Sequence, residues 1–490
     1  MRKYISNLPV LLLFFALIAC SSGNEEPLGD KPTSSELTFE YDKVTPVDFP
    51  SLNIPGFEFP MDSTLLNQWI AEDDSINIYK HGWGIWAGLT APTNQKVGEK
   101  TLLVYETWLT PEEMIDSLKN QPIKRSNRAN LNKPNQFTHF VSTVNDSIHE
   151  SVAYSPAASN YAIEEKIFLA TTLLGYAEEG RNSIPDFPND AITIKPVFKV
   201  LPVSSSGDQT KFAISVWPGP IDSLAGFPEK DWHSSVYIDI TNQSNGNGSR
   251  AIYPDSNTPP APTDSTTYNL NDFIHYKMNK EDAHYFNKEF SENASNRMTA
   301  KPGDVVILVG MHVTTKENKR WTWQTFWWAP DANKPLAPSS KTIADQRPMD
   351  ALSRAASHYA MSTAYYMVNP QEPYSGENVT GTPNYAFNPY LESGFGPNVF
   401  NDKISVINTS AGNSISTSAG VRTNCMSCHA MATINPDSLG SGSNSGTPYV
   451  GDSYVSLSDT IFEGQLKLDF AWSIQGNIDT TGLKAYLEEN

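Results

Sequence analysis

The chain has 490 residues, a formal net charge of −19, 39% hydrophobic and 11% aromatic residues. That length exceeds the size at which single cores stop growing and predicts two or three domains, and the aromatic content excludes a disordered polymer. The acidic balance excludes nucleic acid as a partner, because its phosphates would be repelled.

The N-terminus carries Arg2 and Lys3, then a short apolar run from Val10 to Ala19, then Cys20. The run is too short for a comfortable membrane span and reads as an export signal. Leu17-Ile18-Ala19-Cys20 resembles the lipobox of bacterial lipoproteins. The resemblance implies a signal peptide over 1–19, acylation of Cys20 and anchoring in a membrane through that lipid. Residues 20–40 are rich in Ser, Gly, Pro and Glu and read as a flexible tether. Ser21-Ser22 lacks the aspartate that suggests inner-membrane retention, so an outer-membrane lipoprotein is expected, facing the periplasm or the cell surface.

Residues 41–189 have mixed character. "HGWGIWAGLTAP" (81–92) places His81, Trp83 and Trp86 between glycines, like a loop that admits close backbone approach beside a site; a packed, hydrogen-bonded His81 is the simpler account. "PEEMIDSLKN" and "AIEEKIFLATTLLGYAEEG" read as helices, and His139 and His149 as surface histidines. Residues 190–340 are strand-rich: 190–203, 209–219, 232–242, 303–315 and 320–330 are β-branched and aromatic with partial alternation. In the last of these, Trp321, Trp323, Thr325 and Trp327 fall on one face and Thr322, Gln324, Phe326 and Trp328 on the other. An antiparallel sheet or sandwich is expected, with His312 opposite Met311 along its strand and a surface loop over 253–269.

The region 345–490 carries Cys425, Cys428 and His429 in the order C-x-x-C-H. With Cys20 lipidated, these are the only thiols left among three cysteines, so no long-range disulfide is available. The spacing is that of covalent haem attachment, in which each thiol joins a vinyl group and the adjacent histidine becomes an axial iron ligand. A redox dithiol and a zinc site are the rivals. The first normally follows a strand in a βαβ unit, whereas a Ser/Gly/Asn-rich stretch precedes Cys425; the second needs further Cys or His ligands. After Met431 the chain has neither Met nor His, so a second axial ligand must come from upstream or the iron is open. Between Pro348 and Pro370 the segment 347–370 has no Gly or Pro, and it predicts a helix placing His358 and Met361 on one face. These two are the leading distal candidates, with Met349 and Met367 behind them. Towards the C-terminus Phe470 and Trp472 share strand parity, and a short helix follows from about 480.

Together, "HGWGIWAGL…YETW", "ITIKPVFKVL", "VGMHVTTKENKRWTWQTFWW" and "NCMSCHAMA" resemble a family of bacterial exported proteins with one C-terminal haem c motif. In that family a G-x-H…K…W-x-W-x-T-F segment precedes the attachment site. Here Gly310, His312, Lys316, Trp321, Trp323, Thr325 and Phe326 stand in its places. Trp327-Trp328 replace the acidic-histidine pair often found next in relatives, so a ligand supplied there would be missing.

The expected fold class is α+β, a strand-rich body followed by a mainly helical or irregular haem c segment. The expected function is that of a mono-haem c-type cytochrome lipoprotein that transfers electrons, with one covalent haem c, His429 and Met361 or His358 as iron ligands, and a redox partner protein. The alternative is a peroxidase-like haem c enzyme or a small-ligand sensor with an open distal face. There His312, His81, His358 or Arg354 would move protons. A glycan-binding or structural lipoprotein is a third reading.

Overall fold

Helix starts follow side-chain caps. Asp62 accepts from the N–H groups of Thr64 and Leu65 to open α1 (Ser63–Ala71), and Asp74 does so for α2 (Ser75–Leu89). A Thr110/Glu113 capping box with Pro111 in the first turn begins α3 (Pro111–Leu118). Ser155 caps α4 (Pro156–Glu164), and α5 (Ala170–Glu178) follows. Helix α3 lies within the first segment predicted as helical and α5 within the second; α4 begins before the second and overlaps it only at 162–164, the chain leaving the helix over 165–169. The stretch 81–92 does not form the expected loop; most of it lies in α2. Its glycines serve packing, because the rings of Phe57 and Phe49 occupy the places where Cβ atoms of Gly84 and Gly88 would stand. That contact offsets the helix-propensity cost of glycine, about 1 kcal/mol each.

The computed structural model describes residues 44–119, 148–222, 226–290, 299–370, 381–395, 407–408, 414–415, 420–441, 450–452 and 454–489. The expected signal peptide, Cys20, the tether and His139 lie outside them. A hairpin, β1 (Pro92–Val97) and β2 (Lys100–Leu103), precedes the main sheet. That sheet is antiparallel and seven-stranded. It contains β3 (Ile148–Glu150), β4 (Ala153–Tyr154), β5 (Ile192–Leu201), β10 (His275–Lys277), β11 (Val305–Thr315), β12 (Thr322–Trp328) and β13 (Tyr359–Thr363). Its spine runs β13-β12-β11-β5-β3, with β10 beside β11 and β4 beside β5. A second sheet holds β6 (Lys211–Ser215), β7 (Ser234–Asp239), β8 (Ala251–Ile252) and β9 (Thr267–Asn269), the last parallel to β7. All five predicted strand regions contain strands.

Helix α6 (Lys280–Phe290) precedes β11, and α7 (Lys341–Ala344) precedes β13. Three short pairs follow: β14 (Val368–Asn369) with β15 (Thr382–Pro383), β16 (Ile407–Asn408) with β17 (Ser414–Ile415), and β18 (Thr433–Ile434) with β19 (Leu466–Lys467). Helices α8 (Cys425–His429), α9 (Trp472–Gln475) and α10 (Leu483–Glu489) complete the chain. The architecture is α+β. One compact unit spans Tyr41–Asn490, and the expected regions share cores: Leu173 of α5, Trp323 of β12, Met426 of α8 and Trp472 of α9 belong to one cluster.

The predicted helix over 347–370 is absent. The chain there makes two short 3-10 turns, Met349–Ala351 and Ala356–His358, and then β13, which pairs with β12. Strand pairing on an open sheet edge overrides the local helix preference. His149 is likewise not a surface residue: it is 5% exposed on β3, with its ring edge-on to Phe286 at 4.4 Å.

Candidate functional site

The pleat of the main sheet sorts the candidate residues. Cross-strand partners share a face, so Lys195, His312, Thr325 and Ser362 lie together, as do Thr193, Thr314 and Trp323. The opposite face carries Met311, Phe326 and Met361. Helix α2 covers that second face: Trp86 stacks on Phe326 at 4.4 Å, and a Cβ on Gly82 would lie 2.8 Å from the Met361 sulfur. Helix α8 belongs to the first face, where the Trp323 and His429 rings approach to 4.2 Å.

Asn424 caps α8, its side chain accepting from the Ser427 N–H at 3.0 Å. Its neighbours Cys425 and Met426 are buried, whereas Cys428 and His429 are only partly so. The two thiols are unbridged. Cys425 donates from Sγ to the Ala386 carbonyl at 3.1 Å, and the Trp472 indole N–H donates to the Cys428 carbonyl at 3.1 Å. Burial, reinforced by the Glu392 charge, pushes both thiols up, Cys428 to about 12. This is the reverse of the depressed thiol pKa of a redox dithiol.

His429 Nδ1 lies 2.8 Å from the Phe470 carbonyl. A carbonyl only accepts, so Nδ1 carries the proton and Nε2 keeps its lone pair. Among the described residues nothing hydrogen-bonds to Nε2. Burial pushes the imidazole pKa down to about 3, with the charges of His312 and Lys195 acting in the same direction against the Phe470 hydrogen bond. The imidazole is therefore neutral at neutral pH. Holding the Phe470 carbonyl in place requires left-handed backbone at two consecutive non-glycine residues, Asp469 at φ 46° and Phe470 at φ 68°, while Trp321 at φ 60° precedes β12.

A polar group lines the same sheet face. His312 Nε2 is 3.1 Å from Glu392 Oε2, which also accepts from the Asn388 N–H at 2.6 Å. Lys195, paired with His312 across the strands, makes an ion pair with Glu150 at 2.8 Å. Asn388 lies against Gly310 and donates to Thr325 Oγ1 at 2.8 Å and the Phe326 carbonyl at 2.9 Å. Lys316 pairs with Asp469 at 2.6 Å. Of the G-x-H…K…W-x-W-x-T-F positions, Gly310, His312, Lys316, Trp321, Trp323 and Thr325 thus border α8 or the residues that hold it, while Phe326 faces α2.

The two leading distal candidates are not brought to His429. Met361 lies on the far sheet face, where strand alternation puts it once 359–363 is a strand. His358 stacks on Trp328 at 6.1 Å, with Nε2 3.6 Å from Asp272, and burial lowers its pKa. Met349 is 55% exposed. Met367 shares a core cluster with Cys425 and Met426, but its sulfur accepts from the Val455 N–H at 3.2 Å. His81 is the packed, hydrogen-bonded histidine of the simpler account, between Tyr365 (2.6 Å) and Glu317 (3.1 Å). Arg354 donates to Asp272 at 2.5 Å.

Sequence reasoning did not single out Lys195, Glu392, Asn388 or the Phe470 carbonyl. A lysine amid the apolar alternation of "ITIKPVFKVL" was a usable signal for Lys195; nothing local marks the others. Among the described residues no group of three or more His, Cys, Asp or Glu could hold a metal ion by itself, and no helix is long and apolar enough to cross a membrane. Comparison with protein-family models, with curated proteins and with solved structures returns no match.

Proposed function

We propose that the protein is a mono-haem c-type cytochrome that transfers electrons, tethered to the outer membrane by lipid on Cys20 and working with a redox partner protein. The observation that carries this reading is the state of the C-x-x-C-H donors: two unbridged, unactivated thiols beside an imidazole whose Nδ1 is fixed and whose Nε2 is unengaged. The donor set fits haem c. A porphyrin brings four nitrogen ligands of its own, so one protein imidazole suffices where a bare ion would need a cluster.

When bound, haem supplies a one-electron iron couple. Cys425 and Cys428 would each add S–H across a vinyl group, the sulfur bonding one carbon and the hydrogen going to the other. His429 would ligate through Nε2, with the Phe470 carbonyl fixing the ring and raising its basicity. Trp323 would pack against the imidazole and exclude water from that side. The test is haem staining after denaturing electrophoresis, with the intact mass of the matured protein. Covalent haem that disappears in Cys425→Ala/Cys428→Ala supports the reading; a matured protein without covalent haem refutes it.

A second reading, a haem c enzyme or sensor with an open distal position, is favoured by the His312–Glu392 pair and by the placement of Met361 and His358 away from His429. His312 would hold or pass a proton, with Glu392 returning it. Optical spectra of the reduced protein separate the two. A spectrum unchanged by carbon monoxide means both axial positions are filled and supports electron transfer; a ready shift favours the open-site reading.

A further inference from the structure

On the flank of α8 lies a cavity of about 430 Å³, walled by Ala430 and Phe470 on the α8 side and by Lys319, Arg320, Lys467 and Ser456 elsewhere. A second cavity of about 420 Å³ shares Asn182, Leu457, Ser458 and Lys467 with it, so the two are lobes of one cleft with Lys467 at the junction. In the first lobe the charges do not balance. Its carboxylates, Asp469 and Asp186, are turned to Lys316 at 2.6 and 3.6 Å, and Asp469 also accepts from the Phe187 N–H. Among the described residues neither Lys319 nor Lys467 has a carboxylate within ion-pair distance; the Lys467 ammonium donates to the Leu457 carbonyl at 2.9 Å and sits over the Phe462 ring. Burial, together with the Lys319 charge, lowers the Lys467 pKa. In a chain of net charge −19, this first lobe is lined by two lysines, Lys319 and Lys467, with no carboxylate paired to either among the described residues.

We propose that this cleft binds a small hydroxylated organic anion, its phosphate or carboxylate held between Lys319 and Lys467 and its body in the second lobe. An anion there removes the repulsion between the two ammonium groups and gains charge-assisted hydrogen bonds. The size requires more than a bare oxyanion, since each lobe has the volume of a small-molecule site. The second lobe offers Asp459, Glu463, Gln465 and Thr460, hydrogen-bonding groups suited to hydroxyls rather than to further negative charge. The proposal does not depend on haem: Ala430 and Phe470 form a wall whether or not His429 carries iron.

The test is calorimetric titration of the matured, full-length protein with glucose 6-phosphate, glucuronate, inorganic phosphate and glucose. At least one sugar anion is expected to bind, more tightly than inorganic phosphate, with no binding of glucose and weakening by added salt. Lys467→Met and Lys319→Met are each expected to weaken it by roughly tenfold or more. Lys319 is exposed, so its variant keeps the test valid if Lys467→Met fails to fold. No binding of either sugar anion at millimolar concentration, binding of glucose alike, inorganic phosphate binding as tightly, or binding unchanged in Lys319→Met overturns the proposal. Haem staining of the same preparation keeps this outcome separate from that of the cytochrome reading.

Discussion

Replacing Gly310 by alanine tests whether the G-x-H positions act through Asn388. Gly310 sits where the β5–β11 register shifts, and its φ is not left-handed, so alanine brings no backbone strain. Its Cβ, however, would stand 2.9 Å from Asn388 Nδ2 and 3.0 Å from Oδ1, where ordinary contact begins at 3.4 Å. Asn388 is fully buried, donates at 2.8 and 2.9 Å, and accepts from the Tyr390 N–H at 3.0 Å. Moving it by the half-ångström required weakens two or three hydrogen bonds, worth about 1 kcal/mol each and more where a buried group is left unsatisfied. Alanine returns roughly 0.5–1 kcal/mol of chain entropy. The net expectation is a loss of about 1.5–3 kcal/mol, read as a lower urea midpoint at unchanged slope. In an Asn388→Ala background the clash is gone and most of the Gly310→Ala cost should vanish. An unchanged midpoint, or the same cost in both backgrounds, refutes the argument.

Trp472→Phe removes the donor to the Cys428 carbonyl and should lower stability by about 1–2 kcal/mol in urea unfolding. Glu317→Gln disturbs a fully buried carboxylate that accepts from Met61 N–H, His81 and Thr315; a loss of about 2–4 kcal/mol is expected by the same assay. Burial pushes the Asp239 carboxyl up, but hydrogen bonds from Thr241, Ser244 and the Gln243 N–H outweigh it and leave the pKa below the usual range. Its stabilisation is therefore present above about pH 4 and lost as the pH falls through the folded pKa. The stability gap between wild type and Asp239→Ala should close on acidification, as followed by urea midpoints.

What the sequence disclosed followed from local physics. Alternating β-branched and aromatic residues announced β5, β7, β11 and β12; "PEEMIDSLKN" announced α3; and the spacing of Cys425, Cys428 and His429 is a local pattern complete in five residues. The failures were cases where tertiary contact outweighs local preference. Residues 347–370 contain good helix formers, but the open edge of β12 takes 359–363 as a strand. That change moves Met361 from a helix face shared with His358 to the sheet face remote from His429. The glycines of 81–92 suggested a loop because the aromatic rings that fill the notches of α2, Phe49 and Phe57, lie far back in the chain. His149 looked exposed because its partner Phe286 is distant in sequence. Glu392 and Asn388 were invisible for the same reason: each matters through a residue on β11 or β12, some sixty to eighty positions away.

The backbone around His429 bears on its proposed role as an iron ligand. Left-handed conformations at non-glycine residues cost roughly 1–2 kcal/mol each, and three of the seven in the described chain, Trp321, Asp469 and Phe470, gather at this site. Each has a contact that requires its position. Trp321 packs on Phe187 at 5.4 Å, the Asp469 carboxylate binds Lys316 and the Phe187 N–H, and the Phe470 carbonyl takes the His429 Nδ1 proton. A histidine that only filled space would be satisfied by either nitrogen and would need no such turn. Strain that selects one tautomer and leaves Nε2 unengaged fits the proposed role of His429 as an iron ligand. It follows that Asp469→Gly, which frees the first strained position but removes the partner of Lys316, should loosen the Phe470 carbonyl rather than improve its aim. If the protein carries haem as proposed, the expected result in the matured protein is a less basic iron-bound imidazole and a higher reduction potential; an unchanged potential would show that the turn serves packing alone.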